Sequence, residues 1–594
     1  MLKKNRKFII LACALLTIIV VGLSTSLYSS NSQDVYFNVR KYITLFGEVY
    51  KEVTSSYVEE IDTEKFIRAG IQGMLDQLDP YTVYLEDEGK DELEIMTRGK
   101  YFGVGMRISL RNGWPTVAEQ PFPNSPAAIA GIREGDQIIQ IDGITTKGDK
   151  LSKTAARLRG TTKGTEVRIT ISRVSVEKPM ELTLIRDEIV VSEIEFAGIV
   201  EPGIGLIRLT RFNRGAGRQV QQAIETLKAQ GMQSLIFDLR SNPGGLLDVA
   251  VSVLENFVAE GELVVYTKGR NGDSQQDYRT RIEPVLGKAP LVVLVDGYSA
   301  SASEIVAGAI QDLDRGVIIG GETFGKGLVQ TVVNLDQRGD AKLKITTAQY
   351  FMPSGRLIQR PEVFNRGRGS VLANSLHVDD NGYDEDEEIT GDEESEKEKD
   401  PKQTLVDKDL PKFYTRNNRE VLGGGGIKPD IKVENQRTTK YVAELRRKSL
   451  FFNFSLNYAA DHSTLDRDFE VTDQMLEDFF AFTREKEFDY IPDGYKELET
   501  LEKIARDEQY YDIMKAHIQE IRNDFKNVKE QDKNKSTEDI RYLLKRELTA
   551  KLFGNDEAYR AGFERDDDLK AAISVLKNPD EYNKVLNIKV ATKN

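Results

Sequence analysis

Three serines stand at alternate positions in one short segment, Ser299, Ser301 and Ser303, just after the apolar run Leu291–Val295. The residues from Ser301 onward have the apolar spacing of a helix. A serine at such a strand-to-helix turn is exposed, and the first N–H groups of the helix have no partners within it. Those N–H groups can stabilise an oxyanion, as in a nucleophile elbow. The local sequence GYSAS differs from G-x-S-x-G, however, and no histidine lies nearby.

The composition restricts the chemistry that these serines can take part in. The chain has one cysteine, Cys13, and three histidines, His377, His462 and His517. An intrachain disulfide and a Cys/His zinc site are therefore excluded. A cysteine nucleophile is nearly excluded as well, because Cys13 lies in an apolar stretch close to the amino terminus. We expect a reaction that uses no metal and no cofactor.

Length and charge point to several domains and argue against nucleic acid as a partner. A chain of 594 residues is too long for one core. Its formal charge of −14 does not provide the basic surface that nucleic acid requires. Residues 379–400 hold 13 acidic residues and 2 lysines, so this low-complexity segment carries most of the excess charge.

Two glycine-containing loops follow other apolar runs. The loop Asp238–Gly245 follows the predicted strand Leu235–Leu239, so its exposed amides can lie at the same sheet edge as the serines. The segment Gly320–Lys326 fits the G-x-x-x-x-G-K pattern of a phosphate-binding loop. The next residue is Gly327 rather than Ser or Thr, and Leu328–Val333 has the pattern of a strand rather than the required helix. Nucleotide binding is therefore disfavoured.

Residues 101–187 have a strand-like period and contain the string SPAAIAGIREGDQIIQIDG. This string and the order of the predicted elements resemble a PDZ domain. In that family a glycine-containing loop offers backbone N–H groups to the terminal carboxylate of a peptide, which adds as a strand. Glycine permits the close backbone approach that such a loop needs. The resemblance implies that the loop consists of Gly103, Val104, Gly105 and Met106.

The two ends of the chain have different patterns. Lys3–Lys7 is basic and precedes an apolar run from Phe8 that weakens towards Tyr28. Its length is borderline for a bilayer span, and the absence of an A-x-A site favours an uncleaved anchor over a cleaved signal peptide. The remainder of the chain would then lie outside the cytoplasm. The charged C-terminal part has one apolar stripe, which indicates packing or contact between copies of the chain: Leu498, Leu501, Ile504, Tyr511, Met514, Ile518, Ile521 and Phe525.

The segment from Leu291 to Gln330 contains SASASE, QD and TFGKG, with a glutamine four residues after the lysine. Together with RSNPGG, GMLDQLDPYT and GGGIKPD, these motifs resemble the C-terminal processing peptidases, also called tail-specific proteases, which are serine peptidases. The resemblance implies a nucleophile, a general base and a residue that holds the base: Ser301, Lys326 and Gln330. It also implies an oxyanion hole formed by the N–H groups of Ala302 and of Gly244 or Gly245.

These roles are chemically consistent with the residue types. An ordinary lysine has a pKa of about 10.4, and its ammonium group cannot accept a proton. Burial lowers that pKa, and Phe324, Leu328 and Val329 are apolar neighbours that favour burial. Lys326 and Gln330 are four residues apart on a predicted strand and therefore share a face. Neutral Lys326 would take the proton of the serine and pass it to the leaving amine.

The patterns predict a multidomain α/β protein in which a PDZ domain precedes a crotonase/ClpP-like mixed α/β peptidase core, with helical N- and C-terminal parts. The predicted parts are an anchor (1–30), an N-terminal helical region (31–100), the PDZ domain (101–187), the core (188–362 and 413–436), an acidic disordered insert (363–412) and a C-terminal helical domain (437–594). We expect a cell-envelope serine endopeptidase that recognises the C-terminal tails of protein and peptide substrates. The rival is a PDZ scaffold without turnover, which predicts peptide binding but no products.

Overall fold

The computed structural model describes residues 37–588, with gaps at 86–94, 96, 175, 271–274, 337–340, 362–409, 435–437 and 463. The chain divides into one unit that ends at Leu78 and a second that begins at Asp79. The predicted anchor at residues 8–28 and almost all of the predicted acidic insert lie outside the described residues. Within the described part we find no helix with the length and apolar character needed to cross a bilayer.

The first unit is helical, as the spacing of its apolar residues predicts. Helix α1 covers residues 37–56, and α2 spans Thr63–Leu75. Asp62 caps α2 by accepting a hydrogen bond from the N–H of Lys65. The two helices pack through the stacked rings of Tyr50 and Phe66, whose centroids are 5.8 Å apart.

The second unit begins with strand β1 (Val83–Leu85) and continues into the PDZ-like part. Strands β3, β4, β5, β7 and β8 form one sheet in that order, β6 pairs with β5, and β2 pairs with β9. The strands are β2 (Lys100–Gly103), β3 (Ile108–Arg111), β4 (Trp114–Val117), β5 (Gln137–Ile141), β6 (Ile144–Thr145), β7 (Glu166–Ser172), β8 (Met180–Ile185) and β9 (Asp187–Val190), with helices α3 (Pro126–Ile129) and α4 (Leu151–Leu158).

A six-stranded sheet forms the centre of the second unit. Its order is β10-β11-β12-β15-β16-β21, and every pair except β10 with β11 is parallel. The three central strands are buried throughout, as expected for parallel strands covered on both faces. The strands are β10 (Ile194–Glu201), β11 (Ile204–Leu209), β12 (Ser234–Asp238), β15 (Leu291–Val295), β16 (Val317–Gly320) and β21 (Ile431–Lys432).

Two sets of helices cover the faces of this sheet. On one face, side chains such as Phe237 and Val293 pack against α5 (Ala216–Ala229), α6 (Leu247–Leu254) and α7 (Ala302–Asp312). On the other face, the alternate side chains pack against α15 (Asp567–Lys577) and α16 (Pro579–Val585). The C-terminal helices therefore form an integral layer of the sheet's core.

A second sheet lies in the same unit and has the order β1-β18-β13-β14, with β17 also paired to β18. Its strands in addition to β1 are β13 (Leu263–Gly269), β14 (Gln276–Arg279), β17 (Leu328–Asn334) and β18 (Lys342–Phe351). The pairing of β1 with β18 is antiparallel and aligns Val83 with Lys344. Strands β19 (Lys412–Tyr414) and β20 (Glu420–Leu422) form a separate hairpin.

The remaining C-terminal helices are α8 (Lys440–Arg447), α9 (Leu450–Asp461), α10 (Asp473–Glu485), α11 (Tyr495–Asp507), α12 (Tyr511–Lys535), α13 (Thr537–Phe553) and α14 (Asn555–Ala561). Of these, α8, α9, α10 and α13 share a core of their own, rich in phenylalanine. This part also contacts the PDZ-like part, because Lys551 forms a buried ion pair with Glu134. A β-carbon on Gly135 would lie 2.4 Å from the side chain of Leu456, so the two surfaces approach closely.

Candidate active site

Three loops meet at the carboxyl edge of the six-stranded sheet. Strands β12, β15 and β16 are adjacent and parallel, so the segments that follow them emerge on the same side. The segment after β12 carries Gly244, the one after β15 carries Ser301, and the one after β16 carries Lys326. Residues far apart in the sequence are thereby brought to one edge.

Ser301 lies at the strand-to-helix turn and has an unusual backbone conformation. Its φ of 55° and ψ of −111° are sparsely populated for a residue with a side chain. It immediately precedes α7, which is buried along its whole length. Among the described residues no acceptor is found for the N–H of Ala302, the first residue of α7. The predicted elbow geometry is thus present, with a free helix N–H beside the serine.

The two flanking serines hold the turn in place. Both are fully buried. The hydroxyl of Ser299 donates to the carbonyl of Leu239 at 2.8 Å, and that of Ser303 donates to the carbonyl of Asn242 at 2.8 Å. Each bond connects the serine turn to the loop after β12. Ser301, the serine between them, is partly exposed.

Lys326 points its amine at Gln330 and at an aromatic ring. Its Nζ donates to Oε1 of Gln330 at 3.3 Å and lies 4.1 Å from the ring centroid of Tyr81. Burial, assisted by the like charge of Lys344, lowers the pKa of Lys326 from 10.5 to about 7. Gln330 is held in turn, because its Nε2 donates to the carbonyl of Tyr81 at 3.1 Å. A substantial fraction of the lysine is therefore neutral near pH 7.

The ring beside the amine is positioned by the chain just before β1. Asp79 accepts the N–H groups of Tyr81 and Thr82 at 2.9 and 3.0 Å and the hydroxyl of Thr82 at 2.9 Å. Tyr81 is 5% exposed and packs with Ala300, Phe324 and Leu328. Of the three apolar residues expected around Lys326, Phe324 and Leu328 pack with the ring that the amine faces, whereas Val329 packs against the main core.

The carboxylate of Glu304 accepts hydrogen bonds from the backbones of both Ser301 and Lys326. Its Oε2 accepts the backbone N–H groups of Ser301 and Lys326, both at 2.9 Å. Its Oε1 accepts the N–H of Gly325 at 2.7 Å and the hydroxyl of Thr323 at 2.6 Å. The side chain is fully buried, and burial raises its pKa even though these four donors oppose the shift.

Tyr350 adds a second connection between the same two residues. Its hydroxyl lies 3.1 Å from the carbonyl oxygen of Ser301 and also donates to the carbonyl of Lys326. Tyr350 is 1% exposed, and burial followed by the nearby charge of Glu304 raises its pKa well above the ordinary value. One hydroxyl and one carboxylate therefore set the spacing of the two backbones.

The loop after β12 packs directly against Ser301. Gly244 has a φ of 99°, and a β-carbon there would lie 2.8 Å from the nitrogen of Ala302 and 2.9 Å from Cβ of Ser301. Only glycine fits this approach. The N–H of Gly244 donates to Oδ1 of Asn242 at 2.9 Å, whereas the described residues include no acceptor for the N–H of Gly245. The two glycines are thus not equivalent as oxyanion donors.

The four residues of the PDZ-like loop, Gly103 to Met106, are all buried. Val104 and Met106 pack in the core of that part. The carbonyl of Gly105 accepts the N–H of Phe122 at 2.9 Å and the hydroxyl of Ser125 at 3.0 Å. No acceptor is found, within the described chain, for the N–H groups of Val104, Gly105 and Met106. The loop leads into β3, the terminal strand of its sheet.

Sequence reasoning missed the side chains that connect these groups. Glu304 is the third residue after Ser301, and the S-x-x-E spacing at a helix start is a signal that could have identified it. Tyr350 offers no comparable local signal, because its partners Ser301 and Lys326 are distant in the sequence. Asn242 lies in the RSNPGG motif, but its bonds to Leu209 and Ser303 join segments that are distant in the sequence.

Matches to protein families cover four parts of the chain. Residues 203–364 match peptidase family S41, and residues 117–173 match the PDZ domain. Residues 441–576 match the C-terminal helical domain of probable PDZ-proteases. Residues 24–89 match the N-terminal domain of the activating protease CtpB.

Three curated bacterial proteins are similar over more than half of the chain. The carboxy-terminal-processing protease of Bartonella bacilliformis is 37% identical over 344 residues, which cover 57% of this chain and 77% of that protein. The carboxyl-terminal-processing protease of Synechocystis is 35% identical and covers 59% and 84%. The carboxy-terminal processing protease CtpA of Bacillus subtilis is 31% identical and covers 59% and 74%.

Proposed function

Because the chain belongs to the carboxy-terminal processing proteases, serine-type peptidases with a PDZ domain, we propose that Ser301 and Lys326 carry out its peptide cleavage. Ser301 is the nucleophile, neutral Lys326 is the general base, and Gln330 holds the amine. The N–H groups of Ala302 and of Gly245 or Gly244 bind the oxyanion. The geometry favours Gly245, because the N–H of Gly244 already has an acceptor.

The proposed reaction has two halves that use the same lysine. Lys326 accepts the proton of the Ser301 hydroxyl as Oγ attacks the carbonyl carbon of the peptide bond. The carbonyl oxygen becomes an oxyanion and is stabilised by backbone N–H groups. The protonated lysine then gives its proton to the leaving amine, and an ester remains on the serine. Water hydrolyses the ester, with Lys326 accepting and returning a proton once more.

The observation that carries this proposal is the environment of Lys326. A lysine with a pKa of about 7 is held against a tyrosine ring, and its backbone N–H shares Oε2 of Glu304 with the N–H of Ser301. A buried lysine without a function is destabilising, because the charged form loses hydration. A proton acceptor beside a serine provides a reason for this burial.

Substrate recognition is proposed for the PDZ loop. The N–H groups of Val104, Gly105 and Met106 form a site for a terminal carboxylate, with Gly103 at its start. The rest of the tail would then pair with the edge of β3 as an added strand. The substrates are proteins and peptides with free C-terminal tails.

The remaining parts of the proposal concern location and assembly. We place the enzyme on the extracytoplasmic side of the cell envelope, with residues 8–28 as an anchor in the inner membrane, on the sequence pattern alone. Contact between copies of the chain is proposed for the helical parts. Leu501, Ile504 and Ile521 of the apolar stripe are 37%, 45% and 43% exposed, which supports this role.

The chain without residues 1–30 should be incubated with envelope proteins and the products read by mass spectrometry. We expect Ser301→Ala and Lys326→Arg to give no products, because arginine keeps the charge but cannot act as a base. The control is a substrate with an amidated C-terminus, which should be cleaved more slowly because the PDZ loop loses its carboxylate. Products from either variant would refute the Ser/Lys assignment, and peptide binding without products from the parent would favour a scaffold.

A further inference from the structure

The C-terminal helices reach the carboxyl edge of the six-stranded sheet through a buried charge network. The hydroxyl of Tyr559, on α14, donates to Oδ2 of Asp238 at 2.9 Å. Asp566, which caps α15, accepts two bonds of 2.7 Å from the terminal nitrogens of Arg240. Asp238 is the last residue of β12, and Arg240 stands at the start of the loop that carries Gly244. The network therefore joins the C-terminal helices to the catalytic edge.

Three carboxylates hold Arg240, of which Asp568 accepts a single bond of 3.1 Å and the other two form paired bonds with the guanidinium. Its Nε and one terminal nitrogen donate to Asp238 at 3.0 and 2.8 Å, while both terminal nitrogens donate to Asp566. Paired bonds of this kind fix the plane of the guanidinium as well as its position. Asp238 is fully buried, and although burial opposes its charge, Arg240 and Arg208 hold its pKa well below the usual range. Asp238 and Arg240 are therefore both charged at neutral pH.

Short connections run from Arg240 to the serine turn. The N–H of Ser241 donates to Asp296 at 2.9 Å. The side-chain Nδ2 of Asn242 donates to the carbonyl of Leu209 at 2.7 Å, and the backbone carbonyl of Asn242 accepts the N–H of Ala300 at 3.1 Å. Gly244 follows and contacts Ser301 as described above. A shift of Arg240 would therefore move the loop that is packed against the nucleophile.

We propose that Tyr559 and Asp566 are positioning residues for peptide cleavage. They hold Asp238 and Arg240, and through these the loop that sets Gly244 and Gly245 against Ser301. The inference rests on the proposed function, because that proposal supplies the role of this loop. Both residues bond to Asp238 or Arg240, so we expect them to act through the loop on the chemical step and to leave KM unchanged. The C-terminal helical part thereby contributes to the peptidase site.

The test compares two tyrosines that make similar bonds at opposite ends of the sheet. Tyr582, on α16, exchanges hydrogen bonds with the N–H and carbonyl of Leu291, the first residue of β15. In the full chain, Tyr559→Phe and Asp566→Asn should each lower kcat by roughly 10- to 100-fold with KM unchanged, because small misplacements slow the chemistry strongly. Tyr582→Phe also removes a hydroxyl that bonds to a strand of this sheet, but at the opposite end from the site, and should keep the parent kcat. Asparagine retains the helix cap of Asp566.

Two readouts are needed: turnover of a quenched fluorescent peptide with a free C-terminus, and the rate at which a fluorophosphonate labels Ser301. Both should fall together in Tyr559→Phe and Asp566→Asn. In an Arg240→Gln background, Asp566→Asn should have no further effect on kcat, because its partner is already lost.

A parent-like kcat in both variants, an equal fall in Tyr582→Phe, or additive effects with Arg240→Gln would overturn the inference. The proposed function is tested separately by Ser301→Ala. If that variant kept its activity, the nucleophile assignment would fail, while the kcat ratio of Tyr559→Phe to Tyr582→Phe would still decide whether the C-terminal helices position the site.

Discussion

The pH dependence of turnover follows from the environment of Lys326. The neutral amine is the form that can accept a proton, so activity should be lost as the pH falls below about 7. At pH 7 about half of the molecules hold a neutral amine when the pKa is about 7, against ~1 in 3,000 for an ordinary lysine. Burial therefore raises the fraction of neutral lysine at pH 7 by roughly 1,000-fold.

The nearby charge of Lys344 offers a way to move this profile. Lys344 opposes protonation of Lys326, so Lys344→Gln should shift the midpoint of the acidic limb to higher pH. Lys342 lies on the same strand but is not among the charges that act on the pKa of Lys326. Lys342→Gln is therefore the matched control and should leave the midpoint in place.

The assay is kcat/KM for a quenched peptide with a free C-terminus, measured between about pH 5.5 and 9.5. We expect an ascending limb of unit slope with its midpoint near 7 in the parent. A midpoint close to that of an ordinary lysine, or a rate that is flat over this range, would refute the reasoning about the buried base. An equal shift in Lys344→Gln and Lys342→Gln would show that the effect is not specific to Lys344.

Three further outcomes are expected. Lys326→Met should abolish turnover yet raise the free energy of unfolding by up to about 5 kcal/mol below pH 7. This gain shrinks between pH 7 and pH 10.5, because in that range the lysine is protonated in the unfolded parent but neutral in the folded one. A pH-independent difference in denaturant titrations would contradict this. Glu304→Gln should lower kcat and cost about 1–3 kcal/mol per buried donor left unpaired, so parent-like urea unfolding would be contrary evidence. Gly244→Ala should lose turnover, whereas Gly231→Ala, also at positive φ (92°) but facing open space, should keep it; equal losses would argue against the clash.

The sequence patterns predicted the main elements of the sheet that positions the site. The apolar run Leu291–Val295 is strand β15 with those bounds, and the predicted helix Ser301–Gln311 is α7, displaced by one residue. An apolar run predicts such a strand well, because strands buried on both faces contain few polar residues. The predicted multidomain α/β fold with PDZ, peptidase and helical parts is confirmed by the described structure and the family matches.

Contacts that depend on the folded chain could not be predicted from the sequence. The segment Val83–Leu85 falls in the region predicted to be helical, but it is strand β1, because its pairing partner β18 lies more than 250 residues away. The sequence pattern also does not predict that the N–H of Gly244 donates to Oδ1 of Asn242, since this bond depends on the loop conformation.

By itself, the sequence determined which side chains are available for chemistry. The chain has only three histidines and one cysteine, and its motifs predict a serine nucleophile with a lysine base. Only the tertiary structure decided how the pKa of that lysine is lowered and what holds its amine. The lowered pKa of Lys326 arises from burial against Tyr81, and the spacing to Ser301 is set by Glu304 and Tyr350. The reason is that desolvation and hydrogen-bond geometry depend on which atoms surround a group in space, and those atoms come from distant parts of the chain.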